Sequence, residues 1–170
     1  MIVDVMRANR AASTLAVVHY VVLRNHLHLI AETDDRAALS AGMQALSTRL
    51  AKRINACCAR SGAFFDGRYH ARELGTPREV YNGLRYVLLN ARHHAEQVGV
   101  LLPPHWVDPR STAGLFDGWR VRPCPATPAI DLGVVPASSW LLREGWRRHG
   151  PISLDDIPGS TRATRLARAA

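Results

Sequence analysis

The chain has 170 residues, 47% of them apolar, with 22 basic and 14 acidic side chains and a net charge of +8. That length suits one domain with a tail, and the apolar share is enough for a core. No stretch approaches the roughly 20 apolar residues that a membrane-spanning helix needs, and the start of the chain, with Asp4, Arg7 and Arg10, lacks the apolar run of a secretion signal. A cytoplasmic protein is expected. All basic residues but Lys52 are arginine. The balance favours nucleic acid or another polyanion as partner over an arginine-rich genome as its only cause. Three cysteines, Cys57, Cys58 and Cys124, two of them adjacent, are no disulfide framework. Cys57 and Cys58, late in a helical pattern, read as small core residues.

In chain order, residues 1–13 show no strand pattern, and 6–12 read as the end of a helix. Residues 14–23 are β-branched and aromatic and read as a strand. Arg24 and Asn25 suit a tight turn, with a return strand over 26–32. A helix follows, capped by Thr33 or Asp34 with Asp35 in its first turn. Leu39, Met43, Leu46, Leu50 and Ile54 form its apolar stripe. Lys52 and Arg53 make its second half basic, ordinarily the mark of a solvated face. Residues 63–74 read as a strand or extended segment. Its Arg68, Tyr69 and Arg72 would line either a nucleic-acid surface or plain solvent.

Thr76, Pro77 and Glu79 are a strong helix start: Thr76 caps, Pro77 takes the first helical position, and Glu79 completes a capping box. That helix should run to about Gln97, with Gly99 beyond it. Past residue 100 prolines punctuate the chain. An irregular segment is expected to wrap the domain, with one short helix from Trp140 to His149 capped by Ser138 or Ser139 and a frayed basic tail over 159–170. The organisation is therefore a domain over 1–100 and a wrapping segment over 101–170.

Two half-motifs carry chemistry. His26 and His28 are two apart in an expected strand, so both imidazoles project to one side, a ready pair of metal ligands. Such a pair also arises by chance and needs a third ligand to be persuasive. On the second helix Val80, Leu84, Val87, Leu88, Ala91 and Ala95 form the core stripe. Tyr86 and Asn90, one turn apart, share a face well away from it, with Asn82 and His93 on the same side. Taken alone that face reads as solvated.

Together the two stretches resemble the single-tyrosine HUH transposases, in particular the REP-associated tyrosine transposases. The resemblance rests on Asn25-His26-Leu27-His28-Leu29, on Tyr86-Val87-Leu88-Leu89-Asn90 and on the helix and aromatic-basic segment between them. It covers roughly residues 14–98. The stretches Phe116–Trp119 and Trp140–Trp146 also look like one branch of these proteins. The chain departs from the pattern at Ala91, where a proline is usual, and at its start, where the family's first strand and most of a helix are missing.

The resemblance implies an α+β fold: a ferredoxin-like antiparallel sheet with helices on one face, here without its first strand, and an irregular C-terminal extension. It implies a divalent ion, Mg²⁺ or Mn²⁺, held by His26, His28 and Asn90; ligand type alone would equally suit Zn²⁺. Tyr86 would be the nucleophile, cleaving single-stranded DNA beside a hairpin through a 5′-phosphotyrosine intermediate and transferring the strand. Lys52, Arg53, Arg68, Tyr69 and Arg72 would contact the DNA. The protein would be either active or a decayed remnant. A non-catalytic module that binds hairpin or single-stranded DNA is the alternative, and an unrelated metal-binding protein with a coincidental His-x-His is a third reading.

Overall fold

The computed structural model describes residues 1–123 and 131–158. Cys124, Pro125, Pro128 and the basic tail 159–170 lie outside the described residues. The protein is α+β. Its elements in chain order are α1 (Ile2–Ala12), β1 (Ala16–Val22), β2 (Leu27–Glu32), α2 (Arg36–Cys57), α3 (Pro77–Leu88), α4 (Asn90–Gln97) and α5 (Trp140–Arg143). Two 3₁₀ turns, Ala113–Leu115 and Gly145–His149, complete it. Strands β1 and β2 form an antiparallel hairpin. The strand expected over 63–74 is not formed, and that stretch has no regular structure. Of the expected ferredoxin-like sheet, the described residues build this hairpin.

The chain divides into two compact units. The first comprises Met1–Val18, Ala31–Glu73 and Asp131–Ala137. In it α1 packs on α2. Gly42 lies where a side chain would collide with Leu15: an added Cβ would sit 2.5 Å from the Leu15 Cβ. Asn9 is fully buried and satisfied twice, donating to the Leu15 carbonyl at 3.2 Å and accepting from Arg49 at 3.2 Å, as an enclosed carboxamide requires. The expected stripe of α2 holds, with Leu46 and Leu50 buried. Its cap is Asp35, which accepts from the Ala38 N–H at 2.7 Å, rather than Thr33 or Asp34. Cys57 and Cys58 are exposed, not core. They close the last turn just before Ala59 takes a left-handed φ of 51°, past the point where the apolar stripe meets the unit's core.

The second unit comprises His19–Ile30, Leu74–Ile130 and Ser138–Ala170. The Leu23 N–H donates to the His26 carbonyl across the hairpin turn at 2.9 Å, so alternate residues of β1 present their backbone to the opposite edge. Residues 110–112 close that edge: the Val22 N–H donates to the Arg110 carbonyl and the Thr112 N–H to the Tyr20 carbonyl, each at 3.0 Å. A strand edge that sequence reading leaves bare is thereby paired by an irregular segment.

Helix α3 begins as its sequence dictates, with both halves of the capping box in place between Thr76 and Glu79. It buries Val80, Leu84, Val87 and Leu88. Trp146 is 1% exposed, donates from Nε1 to the Leu142 carbonyl at 3.0 Å and lies 5.2 Å from the Phe116 ring. Ser139 caps α5 by accepting from the Leu142 N–H at 3.3 Å.

The helix expected to continue to Gln97 breaks at Leu89, which separates α3 from α4. No glycine or proline causes this. Val87, Leu88, Leu89 and Asn90 are buried in succession, so apolar contacts surround the element here instead of forming one stripe. Arg92, 9% exposed, donates to the carbonyls of Pro103 and Trp106 and ties the following segment over α4.

Candidate functional site

Tyr86 sits in the last turn of α3 and is 45% exposed. Its hydroxyl lies 3.4 Å from His28 Nε2, with the two rings 4.9 Å apart at 71°. That separation is long for a hydrogen bond but well within the reach of one shared reaction centre. The His26 and His28 rings are 4.7 Å apart, His28 on β2 and His26 just before its first residue, Leu27. The phenol and the imidazole pair expected from sequence are therefore together.

Local bonds set the state of each imidazole. His26 Nδ1 lies 2.7 Å from Asn25 Oδ1. A carboxamide oxygen only accepts, so Nδ1 carries the proton and Nε2 keeps its lone pair. His28 is half-buried, and burial pushes its pKa below the ordinary 6.5, with the neighbouring charges of His26 and His94 acting in the same direction. At neutral pH it is the uncharged ring that can ligate a metal.

One residue that sequence reading passed over completes the cluster. The His94 ring lies 5.8 Å from that of His26. On an unbroken helix His93 would lie within about 20° of Tyr86 and His94 about 80° away, so only His93 was expected on this side. The break at Leu89 changes the alignment. His94 Nδ1 faces Gln97 Oε1 at 3.2 Å, and Gln97 Nε2 donates to His93 Nε2 at 3.0 Å. The repeated imidazoles 93 and 94, beside an expected metal pair, were the available signal.

Asn90 differs from expectation. It is the first residue of α4 and only 2% exposed, not held on the open face with Tyr86. Its Oδ1 has no hydrogen-bond partner. A buried acceptor left unpaired costs about 1–3 kcal/mol, which a ligand accepting its lone pair would relieve. The donor set thus fits a divalent ion in kind: two imidazoles, that of His28 with its Nε2 facing the Tyr86 hydroxyl, and one unused carboxamide oxygen. Among the described residues, no three His, Cys, Asp or Glu side chains are already grouped as a metal cage.

Of the expected DNA contacts, Lys52 and Arg53 lie on α2 and Arg68, Tyr69 and Arg72 in the irregular stretch after it. All five are exposed and belong to the first unit, not to the one that holds the histidines and Tyr86. Among the described residues no helix is long and apolar enough to cross a membrane. Comparison of the chain with protein-family models, with curated proteins and with solved structures finds no match.

Proposed function

We propose that the protein is a metal-dependent nicking and strand-transfer enzyme acting on single-stranded DNA beside a hairpin. The observation that carries this reading is the Tyr86 hydroxyl 3.4 Å from His28 in a cluster with His26. A phenol in the last turn of a helix and two imidazoles at the start of a strand meet, which is what a nucleophile and a pair of metal ligands would require. His26 and His28 would hold the ion, with the Asn90 oxygen as third donor; Mg²⁺ or Mn²⁺ is the family expectation. When bound, such an ion polarises the scissile phosphate and stabilises charge that develops on it.

The chain's own residues do the rest. Tyr86, exposed enough to release its phenolic proton to solvent, attacks phosphorus through Oη. The Oη–P bond forms as the P–O3′ bond breaks, and the departing 3′ oxygen takes up a proton. The phosphotyrosine keeps the phosphodiester's free energy, so a second strand's 3′-hydroxyl can reverse the step without ATP. Half-burial of His28 keeps it neutral and available. Asn25 fixes the tautomer of His26. The exposed Lys52, Arg53, Arg68, Tyr69 and Arg72 offer charge and one stacking surface to a DNA backbone.

The test is a hairpin oligonucleotide with single-stranded flanks incubated with Mn²⁺ or Mg²⁺. A denaturant-resistant protein–DNA adduct that chelator prevents and Tyr86→Phe abolishes is the expected result. DNA binding that Tyr86→Phe leaves unchanged, with no adduct from the natural protein, would replace this reading with a non-catalytic DNA-binding module, which the +8 charge alone would support.

A further inference from the structure

The histidine cluster is larger than the reading above uses. His26 and His28 have ring centres 4.7 Å apart, and His94 approaches His26 from α4 at 5.8 Å. A ligating imidazole places its ring centre about 3 Å from the ion, so rings sharing one tetrahedral ion have centres about 5 Å apart. The two observed separations bracket that value. We propose that His94 is a further imidazole ligand, which gives the centre three imidazoles beside the Asn90 oxygen and makes it selective for Zn²⁺, Co²⁺ or Ni²⁺ over Mg²⁺.

Three features support it. Imidazole suits these borderline ions, whereas Mg²⁺ prefers oxygen ligands and retains its waters. The His94 Nδ1 is turned to Gln97 Oε1 at 3.2 Å. A carboxamide oxygen only accepts, so Nδ1 donates to it and Nε2 is the nitrogen that Gln97 does not engage. Finally, His94 is exposed, so the rotation needed to bring its Nε2 into the group disturbs no core packing and gives up only the surface contact with Gln97. The three rings do not yet converge as a cage, and a side-chain turn at His94 is the smallest change that would close one. The break at Leu89 sends Asn90 into the core and leaves His94 as the α4 side chain whose ring meets the pair.

The inference rests on the proposed function only in placing a metal beside Tyr86; its measurement needs no DNA. The metal-free full chain is titrated with Co²⁺ and followed by its visible d–d bands, and Zn²⁺ affinity is measured by competition. The expected result is one Co²⁺ per chain with the strong absorption of a four- or five-coordinate nitrogen site. His94→Ala should weaken Co²⁺ and Zn²⁺ on the order of 100-fold, at the upper end of what losing a residue that only orients a ligand costs, and bleach the bands. Mg²⁺ binding should be unmoved, and His105→Ala, at an exposed histidine outside the cluster, should match the natural protein. Co²⁺ affinity and spectrum unchanged in His94→Ala would overturn the proposal, as would no Co²⁺ binding by the natural protein. Neither result touches the nicking reading, which falls only if the DNA adduct does not form.

Discussion

The hairpin carries a histidine on each strand, His19 on β1 and His28 on β2, and the proposed function uses only the second. Burial lowers the pKa of both. The difference lies in the company each keeps. His19 Nδ1 lies 3.1 Å from the Thr112 hydroxyl, which itself bridges the Tyr20 N–H and carbonyl, and its ring meets Phe116 edge-on at 5.6 Å. Every partner of that imidazole is part of the fold. His28 instead faces a phenol and a second imidazole. A depressed pKa alone therefore does not separate the two histidines; the chemistry of their neighbours does.

Exchanging the two histidines' fates is the sharpest way to break this comparison. His28→Ala should lower adduct formation by on the order of 1000-fold or more, since it removes both a ligand and the partner of Tyr86. It should move stability by no more than about 0.5 kcal/mol. His19→Ala should do the reverse, lowering the denaturation midpoint while the folded fraction still forms adduct. Equal losses of activity in the two variants at matched folded fraction would erase the distinction.

Acid separates them next. His19 is held at about 4 against an ordinary 6.5, chiefly by burial. Its folded pKa is depressed, so the unfolded chain takes up the proton first. The neutral ring's stability is full above pH 6.5 and drains as pH falls towards 4. Part of the residue reaches solvent, so the loss is on the order of 2–3 kcal/mol rather than the full linkage value. Urea midpoints between pH 7 and 4 should show this fall, and His19→Leu should flatten it. His28 acts in the same direction but is only half-buried, so His28→Ala should leave most of the slope. The window lies above the range of Asp131, whose carboxyl is held below 3.8, first by its hydrogen bond from Arg10.

What the sequence made legible follows the same division between local and long-range causes. The capping box of Thr76 and Glu79, the turn at Asn25, the stripe through Leu46 and Leu50 and the cap at Ser139 are set by residues within a few positions of one another. All were readable, to within a residue or two at element ends. Residues 63–74 carry strand-forming side chains, but a strand needs a paired neighbour, and the outer edge of β1 at Tyr20 and Val22 is taken by 110–112. The break at Leu89 lies among good helix formers and stems from packing on all sides, with Arg92 drawn to carbonyls of a segment further on. That one break explains two departures from the expected helix faces: Asn90 is buried instead of sharing the open face of Tyr86, and His94 comes into contact with His26. The pairing of Tyr86 with His28 was legible because each lies on an element whose face is fixed by its own period, and His26 adjoins the first residue of β2.

Asn25 tests how far the exposed strand depends on its turn. Its carboxamide oxygen holds His26 Nδ1 at 2.7 Å and so keeps the other nitrogen free. Asn25→Ala should weaken metal binding about tenfold while leaving the far-ultraviolet spectrum unchanged. An unaltered metal affinity would mean that His26 needs no help in choosing its tautomer.

The smallest effect concerns the helix that brings Tyr86 to the strand. Thr76 accepts from the Glu79 N–H at 3.2 Å, and the Glu79 carboxylate accepts from the Thr76 N–H at 3.1 Å. Thr76→Ala removes one half of this exchange and should cost about 1 kcal/mol of stability. Tyr86 lies at the other end of α3, and its position depends on the buried Val80, Leu84, Val87 and Leu88 more than on the cap. Adduct formation per folded molecule should therefore stay within about twofold. If it fell along with stability, the first turn of α3 would be setting the approach of Tyr86 to His28, and the active geometry would rest on that cap as well as on the core.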